Sequence, residues 1–219
     1  MLVGYRPQGE AELRDVGRVS ELVRTAADPW LRSLPLHLTA SALIVHPDSG
    51  RVLLRWHRRQ QAWLQVGGHG DPGESDPLAI ALREAGEETG LADLAPWPDG
   101  QLRHVAVVPV PAGGNEPAHE HADLRFVFAT GEPGAARAEA PDAPLRWLPA
   151  REAFEATSEA NLRETLARAE RLLTATTGQR GPGGCGRIGP GTTAGREHGS
   201  TDDAAERRRG VRRPGQRDP

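Results

Sequence analysis

Apolar residues recur along most of the chain with two different periods, and each period predicts a different secondary structure. Where they fall every three or four positions, as in residues 10–26 and 161–173, they predict amphipathic helices. Where β-branched and aliphatic residues form short runs bounded by Gly, Pro or Asp, they predict strands. These strands are residues 36–46, 51–56, 63–66, 104–110, 124–130 and 145–148, with residues 111–123 as a long polar loop.

A third helix is predicted in the middle of the chain. Asp76 can cap its N-terminus with Pro77 as the first helical residue, and Gly90 can adopt the left-handed conformation that ends it. The order helix, strands, helix, strands, helix predicts the α/β class, with a mixed β-sheet between helices on both faces, an α/β/α sandwich. The apolar positions of the middle helix have helical spacing and should pack on this sheet: Leu78, Ala81, Leu82 and Ala85.

Composition divides the chain into a body and a C-terminal tail. Residues 178–219 contain two aliphatic residues beyond Ala, no aromatic residue, and abundant Gly, Pro and Arg. Such a segment cannot bury enough apolar surface to offset its loss of conformational entropy, so we predict that it is disordered. We therefore predict a helical extension over residues 1–35, a folded domain over residues 36–177 and a tail over residues 178–219.

All 27 basic residues of the chain are Arg, and the formal net charge is −3. The tail holds nine Arg against five acids, which leaves −7 on residues 1–177. An acidic body is not expected to bind a nucleic-acid duplex, whereas it suits a protein that recruits cations to reach an anionic substrate.

Several classes of protein are disfavoured by the same composition. No apolar run is long enough to span a membrane, and the N-terminus lacks the apolar core of a signal peptide. A single cysteine, Cys185, excludes an intramolecular disulfide. These features predict a cytoplasmic protein with no membrane partner and no specific nucleic-acid partner, and they leave a homodimer open.

Three glutamates at the end of the middle helix are the strongest chemical signal. Glu84, Glu87 and Glu88 stand at positions i, i+3 and i+4, so their side chains share one face of the helix. Like charges at this spacing repel by about 0.2–0.5 kcal/mol per pair. Mg²⁺ or Mn²⁺ reverses the sign, because it binds a few carboxylate oxygens and keeps positions open for water and phosphate. The pattern predicts a divalent-cation site, with a solvated acidic helix end as the alternative.

The residues around these acids resemble the signature of the Nudix hydrolases, G-x5-E-x7-R-E-U-x-E-E-x-G-U with U aliphatic. Eight of its nine defining positions are matched in order, by Gly68, then Glu74, then Arg83-Glu84-Ala85-x-Glu87-Glu88-x-Gly90-Leu91. The U position after Glu84 holds only Ala85, and eight residues instead of seven separate Glu74 from Arg83. We expect the extra residue to lengthen the loop at residues 75–77 without rotating the acids, although it could shift the contact between Glu74 and Arg83.

The resemblance covers residues 36–175 and implies the Nudix fold and a metal-dependent pyrophosphohydrolase. Such an enzyme cleaves the diphosphate bond of a nucleoside diphosphate linked to another group, with Mg²⁺ as the cofactor and Mn²⁺ as a substitute. By the same resemblance Glu87 and Glu88 are metal ligands, together with the backbone carbonyl of Gly67 or Gly68. Glu84 is a third ligand or the general base.

Two further roles follow from the resemblance. Arg83 is expected to be a structural partner of the acids. The loop before the last strand is expected to supply one more acid, and Glu139 is the candidate fourth ligand or alternative base. Asp142 is the second choice, and an exposed acid without a role is the alternative.

Five residues are candidate substrate contacts. His69 lies in the glycine turn and should sit near the phosphates, and Arg58 and Arg59 could bind a terminal phosphate with two hydrogen bonds. His119 and His121 could bind phosphate or form another metal site. Histidines two residues apart in a loop also occur without any function, and a solvated hairpin tip is an equal alternative for the arginines.

Other functions stay open on the sequence alone. A catalytically silent member of the same fold could bind a nucleotide as a sensor, although all three acids and Arg83 are intact. Isomerase chemistry on an allylic diphosphate, also hosted by this fold, would need a cysteine in the pocket, and Cys185 lies in the tail. An RNA-associated protein would depend on the Arg-rich tail alone.

Overall fold

The computed structural model describes residues 2–114 and 116–179, and the predicted disorder of residues 180–219 lies outside these described residues. None of the described helices combines the length and the apolar character needed to cross a membrane. In chain order the elements are α1 (Gly9–Thr25), β1 (Leu36–His46), β2 (Arg51–His57), β3 (Ala62–Leu64), β4 (Val66–Gly68), α2 (Pro77–Thr89), β5 (Ala95–Pro96), β6 (His104–Val110), β7 (His119–Ala129), β8 (Leu145–Pro149), α3 (Ala150–Ala156) and α4 (Ala160–Gln179).

The strands form one mixed sheet with β1 at its centre. β1 pairs in parallel with β7 along ten residue pairs, from Leu36 opposite Glu120 to Val45 opposite Ala129. On its other side β1 pairs antiparallel with β2 near its end and with β4 in its middle. β2 also pairs with β3 and β8, and β7 also pairs with β5 and β6, all antiparallel. The predicted mixed sheet is confirmed.

The two faces of the sheet carry two separate hydrophobic cores, because successive side chains of a strand point to opposite faces. On β1, Ala42 and Ile44 belong to the core that packs under α1 and α2. The intervening Leu43 and Val45 belong to the core that packs under α3 and α4. Every one of these four side chains is fully buried. Helices therefore cover both faces, which confirms the predicted α/β/α architecture.

Helix α1 also closes the edge of the sheet at β6. The backbone N–H of Val105 donates to Glu12 Oε1 at 3.1 Å, and that of Val107 donates to Asp15 Oδ2 at 3.0 Å. These bonds occupy donors that an uncovered edge strand would offer to another chain. Val19 of α1 is completely buried in the core. The predicted helix thus packs as part of the described fold, while the predicted domain boundaries stay a prediction.

Three features of the chain differ from the expectations. Residues 119–123, predicted as part of a loop, form the first half of β7, because they are paired on both sides by β1 and β6. Helix α3 was not predicted, since it is only two turns long and buries little beyond Ala150 and Ala153. In α2 the fully buried residues include Ile80, whereas Leu78 and Leu82 are only partly buried at its margin.

Candidate active site

Helix α2 brings the three glutamates to one corner of the molecule, next to β4. Its first turn is capped by Asp76, whose side chain accepts a hydrogen bond from the Leu78 N–H at 3.0 Å. It ends at Gly90, which has φ 66° and donates its N–H to the Gly86 carbonyl at 2.8 Å. Both predicted helix ends are therefore observed, and the predicted acids occupy the last two turns.

Glu84 lies directly against the glycine turn. A Cβ added at Gly68 would stand 2.7 Å from the Glu84 carboxylate, so this approach requires glycine. The Glu84 side chain is only 16% exposed. Burial raises its pKa, and the neighbouring charge of Glu87 adds to this, while Arg83 opposes it.

Glu88 is held between the backbone of β4 and Arg55 of β2, a residue that the sequence analysis missed. Its Oε2 accepts a hydrogen bond from the Gly67 N–H at 3.1 Å, and its Oε1 lies 3.0 Å from Arg55 Nη1. Burial raises the pKa of Glu88 to about 7, and the charges of Glu84 and Glu139 add to this, against the opposing influence of Arg55 and the Gly67 N–H. The signal for Arg55 was an arginine inside an otherwise apolar strand.

Arg83 joins the predicted acids into one cluster. Its guanidinium lies 3.0 Å from Glu74, 3.1 Å from Glu84 and 3.0 Å from Glu87. Its Nη2 also donates to the backbone carbonyl of His69 at 2.9 Å. The hydrogen bond from Arg83 lowers the pKa of Glu74. The extra residue before the helix has therefore not separated Glu74 from Arg83.

The loop before β8 reaches the same corner through Glu139. Its Oε2 lies 3.3 Å from Arg55 Nη2, so that Arg55 links Glu139 to Glu88. Asp142, the second choice, instead pairs with Arg58 at 2.8 Å. Of the two candidates, Glu139 is the one that the fold brings to the helix acids.

The other candidate substrate contacts divide into two groups. Arg59 bonds Glu116 at 2.9 Å and the Pro111 carbonyl at 2.7 Å, and Arg58 bonds Asp142, so both arginines contact the protein itself. The three candidate histidines, by contrast, all lie next to His37 of β1, a residue that the sequence analysis missed. They are His69, His119 and His121. Their role in substrate binding stays a prediction.

The histidine cluster lies where β1, β4 and β7 meet. His37 Nε2 is 3.1 Å from His69 Nε2, and His119 Nε2 is 3.2 Å from His121 Nε2. Burial lowers the pKa of His37, that of His69 to about 3 and that of His121 to about 4. These imidazoles are therefore neutral at pH 7 and retain a lone pair on one ring nitrogen.

A polar cavity of about 270 Å³ lies beside the glycine turn, on the sheet face that α4 covers. Its floor is the buried carboxylate of Asp123, which accepts hydrogen bonds from Ser41 at 2.7 Å, from Gln65 at 3.2 Å and from Arg125 at 2.7 Å. Burial by itself raises the pKa of Asp123, but the charge of Arg125 and the hydrogen bonds from Arg125, Ser41 and Thr39 together outweigh this and lower it. Gln65 Oε1 is buried and has no partner among the described residues.

The helix acids and the cavity form neighbouring parts of one corner. Gly67 and Gly68 line the cavity, and the same two residues contact Glu88 and Glu84. A larger cavity, of about 1010 Å³, is formed by the N-terminal segment and the start of α2, and neither the helix acids nor the two glycines line it. The acids line neither cavity, but only the smaller one shares Gly67 and Gly68 with them.

The donor set of the acid corner fits a hard divalent cation. Carboxylate oxygens are the ligands that Mg²⁺ and Mn²⁺ prefer, and two of these carboxylates are largely buried. Their raised pKa values reflect burial and mutual repulsion, both of which a nearby cation would counteract. A divalent cation held by these carboxylates could neutralise an anionic group that enters beside the glycine turn.

Comparison with known proteins identifies a family model and a related sequence. A family model described as the NUDIX domain matches residues 35–169. A protein of Lactococcus lactis subsp. cremoris (strain MG1363), named probable DHNTP pyrophosphohydrolase, is 35% identical over 108 residues, which cover 48% of this chain and 61% of that protein. The chain thus matches less than two thirds of that relative's length.

Solved structures of similar fold include two hydrolases. The dihydroneopterin triphosphate pyrophosphohydrolase of E. coli is 17% identical and has a TM-score of 0.48 over 65% of this chain and 97% of that one. An Ap4A hydrolase of C. elegans, in a binary complex, is 19% identical and has a TM-score of 0.49 over 63% of this chain and 98% of that one.

Proposed function

Because this chain belongs to the Nudix family, as the predicted resemblance indicated, we propose that it is a metal-dependent pyrophosphohydrolase. The reaction is hydrolysis of the diphosphate bond in a nucleoside diphosphate linked to another group. One observation carries the proposal: Glu84 and Glu88 are held against Gly68 and Gly67, at the rim of a polar cavity.

In this proposal Glu87 and Glu88 hold Mg²⁺ or Mn²⁺, with the backbone carbonyl of Gly67 or Gly68 as a further ligand. Glu84 is a third carboxylate ligand or the general base. When bound, the cation neutralises charge on the phosphate oxygens and lowers the pKa of water. Arg83 fixes the acids by its bonds to Glu84 and Glu87.

The general base is either Glu84 or Glu139. A base must lie within hydrogen-bonding reach of the attacking water and be unprotonated at the working pH. Glu84 is the more buried of the two, while Glu139 is 55% exposed and shares Arg55 with Glu88. Either carboxylate would take the proton of the water on one of its two oxygens.

The cavity beside the glycine turn is the proposed site of the heterocyclic base. Its volume of about 270 Å³ fits a ring system of that size better than a whole dinucleotide. The unpaired Gln65 Oε1 offers a hydrogen-bond acceptor, and the half-buried Glu159 offers a carboxyl group whose pKa burial raises. These groups suit a heterocycle that carries N–H donors. The pterin triphosphate named for the 35% identical relative is one such compound, and purine nucleotides are others.

A catalytically silent nucleotide sensor is the second candidate. The observation that favours it is Arg55, which already neutralises Glu88 and Glu139 without any metal ion. A sensor would bind nucleotide and release no phosphate. A cytoplasmic location and a homodimer also stay predictions.

The test is a substrate panel with the full-length chain. Dihydroneopterin triphosphate, ADP-ribose, NADH and nucleoside triphosphates are each incubated with Mg²⁺, with Mn²⁺ and with chelator, and released pyrophosphate, phosphate or nucleoside monophosphate is measured. We expect metal-dependent turnover of at least one compound. No turnover across the panel, with nucleotide binding preserved, would favour the sensor.

The matched variants are Glu88→Gln and Glu152→Gln, the second on an exposed position of α3. Loss of a metal ligand removes charge stabilisation of several kcal/mol, so Glu88→Gln should lower kcat by about 10³-fold or more. Glu87→Gln should behave in the same way. Glu152→Gln should match the wild type, and near wild-type turnover by Glu88→Gln would contradict the ligand assignment.

A further inference from the structure

Four histidine rings from three separate segments converge at one place. His37 comes from β1, His69 follows β4, and His119 and His121 begin β7. The ring centroids of His37 lie 5.1 Å from His69, 5.3 Å from His119 and 5.1 Å from His121, and those of His69 and His121 are 4.8 Å apart. One ring nitrogen each of His37, His69 and His121 lies within 4.8 Å of the others.

We propose that this cluster is a second cation site, separate from the acids of α2, in which His37, His69 and His121 bind a Zn²⁺ ion with His119 as the fourth ligand. The inference does not depend on the proposed hydrolase activity. Neither the Nudix signature nor the acids of α2 require these histidines.

Two backbone carbonyls fix the orientation of two of the four rings, those of His37 and His119. His37 Nδ1 is 2.9 Å from the Leu34 carbonyl oxygen, and His119 Nδ1 is 2.9 Å from the Pro117 carbonyl oxygen. A carbonyl oxygen only accepts, so each Nδ1 carries a proton, and Nε2 is the nitrogen left to bind a metal ion. Metal-binding histidines show this arrangement, in which the second ring N–H donates to a carbonyl or carboxylate.

The spacing of the ring nitrogens fits a small tetrahedral ion. Zn–N bonds of about 2.0–2.1 Å with tetrahedral angles place ligand nitrogens about 3.4 Å apart. The observed Nε2 separations are 3.1 Å for His37 and His69 and 3.2 Å for His119 and His121. Each contacting pair therefore already has nearly the spacing of two zinc ligands. The two pairs must also move closer, because the nitrogens of His37, His69 and His121 lie within 4.8 Å of one another and the ion needs about 3.4 Å.

Ligand chemistry separates this site from the acid corner. Imidazole nitrogen suits Zn²⁺, Cu²⁺ and Ni²⁺, whereas Mg²⁺ and Mn²⁺ prefer carboxylate and carbonyl oxygen. Zn²⁺ fits best, because it accepts tetrahedral nitrogen ligands without a redox change. Nearby charge is mixed, since Glu116 and Asp123 act on His121 and Arg32 acts on His69.

A bound ion would fix the loop that leads into α2. His69 contributes its ring to the cluster and its backbone carbonyl to Arg83, at 2.9 Å from Nη2. The neighbouring Gly68 lies against Glu84. The ion would thus join the acid corner to β1 and β7, as a positioning element and not as a reacting group.

The test measures metal content on full-length protein from which any polyhistidine tag has been removed. The protein is treated with chelator, loaded with Zn²⁺ in the presence of millimolar Mg²⁺, and passed through gel filtration before elemental analysis. We expect about one Zn²⁺ per chain. X-ray absorption at the zinc edge should then show a first shell of nitrogen, with the multiple scattering of imidazole.

Variants assign the ligands. His69→Gln and His121→Gln should each weaken Zn²⁺ binding by about 100-fold or more, measured by competition with a chelating dye. His46→Gln, at a histidine outside the cluster that bonds Ser49 at 2.7 Å, should retain the ion. Glu88→Gln should retain it as well, which separates this site from the acids.

Two results would overturn the inference. The first is Zn²⁺ well below one equivalent in the wild type. The second is a bound ion that survives His69→Gln and His121→Gln but is lost in Glu88→Gln. If the histidine variants do not fold, the absorption spectrum of the wild type decides, because a shell of oxygen ligands would also exclude the histidine site.

Discussion

Replacing Glu12 by Gln tests the buried ion pair that joins the first helix to the last. Glu12 of α1 is 3% exposed and Arg168 of α4 is 5% exposed. Their guanidinium and carboxylate groups form two parallel bonds, at 3.0 Å and 2.8 Å. Glu12 also accepts hydrogen bonds from the Tyr5 hydroxyl and from the backbone N–H groups of Gln8 and Val105. A neutral amide cannot satisfy these donors.

Two separate arguments give the expected loss in the free energy of unfolding for Glu12→Gln. Burial alone would raise the pKa of Glu12, but hydrogen bonds from Arg168, Gln8, Tyr5 and Val105 outweigh it and lower the pKa from 4.5 to about 2. At about 1.4 kcal/mol for each pKa unit, the ionised carboxylate contributes roughly 3 kcal/mol to the free energy of unfolding. Separately, a buried charge left without its partner costs about 3–5 kcal/mol. Both arguments predict a loss of about 3 kcal/mol or more for Glu12→Gln.

The stabilisation that Glu12 provides depends on pH with a definite sign. Because the pKa of Glu12 is lower in the folded state than in the unfolded state, its contribution is complete above pH 4.5 and is lost as the pH falls towards 2. The stability of the wild type should therefore fall through this range by about 3 kcal/mol more than that of Glu12→Gln.

Urea unfolding at several pH values between 7 and 2 measures both effects, with Glu10→Gln as the control. Glu10 lies on the same helix and is exposed, so its variant should stay within about 0.5 kcal/mol of the wild type. If Glu12→Gln were as stable as Glu10→Gln at pH 7, or lost stability on acidification as steeply as the wild type, the ionised Glu12 carboxylate would not be what stabilises this helix pair.

Two further variants probe the acid corner and the polar cavity. Gly68→Ala places a Cβ 2.7 Å from the Glu84 carboxylate, so kcat should fall by about 10-fold or more while the chain still folds. The control is Gly134→Ala, whose added Cβ meets no atom within 4 Å and should leave kcat unchanged. Asp123→Asn leaves the buried Arg125 guanidinium without the charged partner that lies 2.7 Å away. Urea unfolding should therefore show that the free energy of unfolding falls by about 3–5 kcal/mol. A fall below about 1 kcal/mol would contradict this assignment.

The elements that the sequence predicts well are those with local causes. β1 and β6 have the predicted bounds, because each is a short run rich in β-branched and aliphatic residues. The ends of α2 are also local, since a capping Asp76, Pro77 and a left-handed Gly90 each act within a few residues. The three acids share a face for the same reason, which is the helical repeat.

The features that the sequence does not reveal depend on contacts between distant segments. The start of β7 is polar, and it becomes a strand because it pairs in parallel with β1 in a register that sets His37 opposite His121. No local pattern contains that register. The sequence does not reveal the part played by Arg55 either. Its contacts with Glu88 and Glu139 form only when β2 lies beside α2 and beside the loop that carries Glu139.

Two arginines, one local and one from β2, change what the three acids require. From the sequence, three like charges on one helix face are costly without a cation. In the folded chain Arg83 contacts Glu84 and Glu87, and Arg55 contacts Glu88, so that every helix acid already has a positive partner. The cluster can therefore fold without a metal ion.

A cation that enters this corner must compete with two guanidinium groups, those of Arg55 and Arg83, for the same carboxylates. The competition differs among the acids. Glu87 is 56% exposed and bonds Arg83 at 3.0 Å, so water screens its ion pair and the carboxylate can turn towards a cation at little cost. Glu88 is 14% exposed and is fixed by Arg55 and by the Gly67 N–H, so it must give up stronger bonds. Metal affinity at this corner is therefore set as much by the arginines that hold the acids as by the acids themselves.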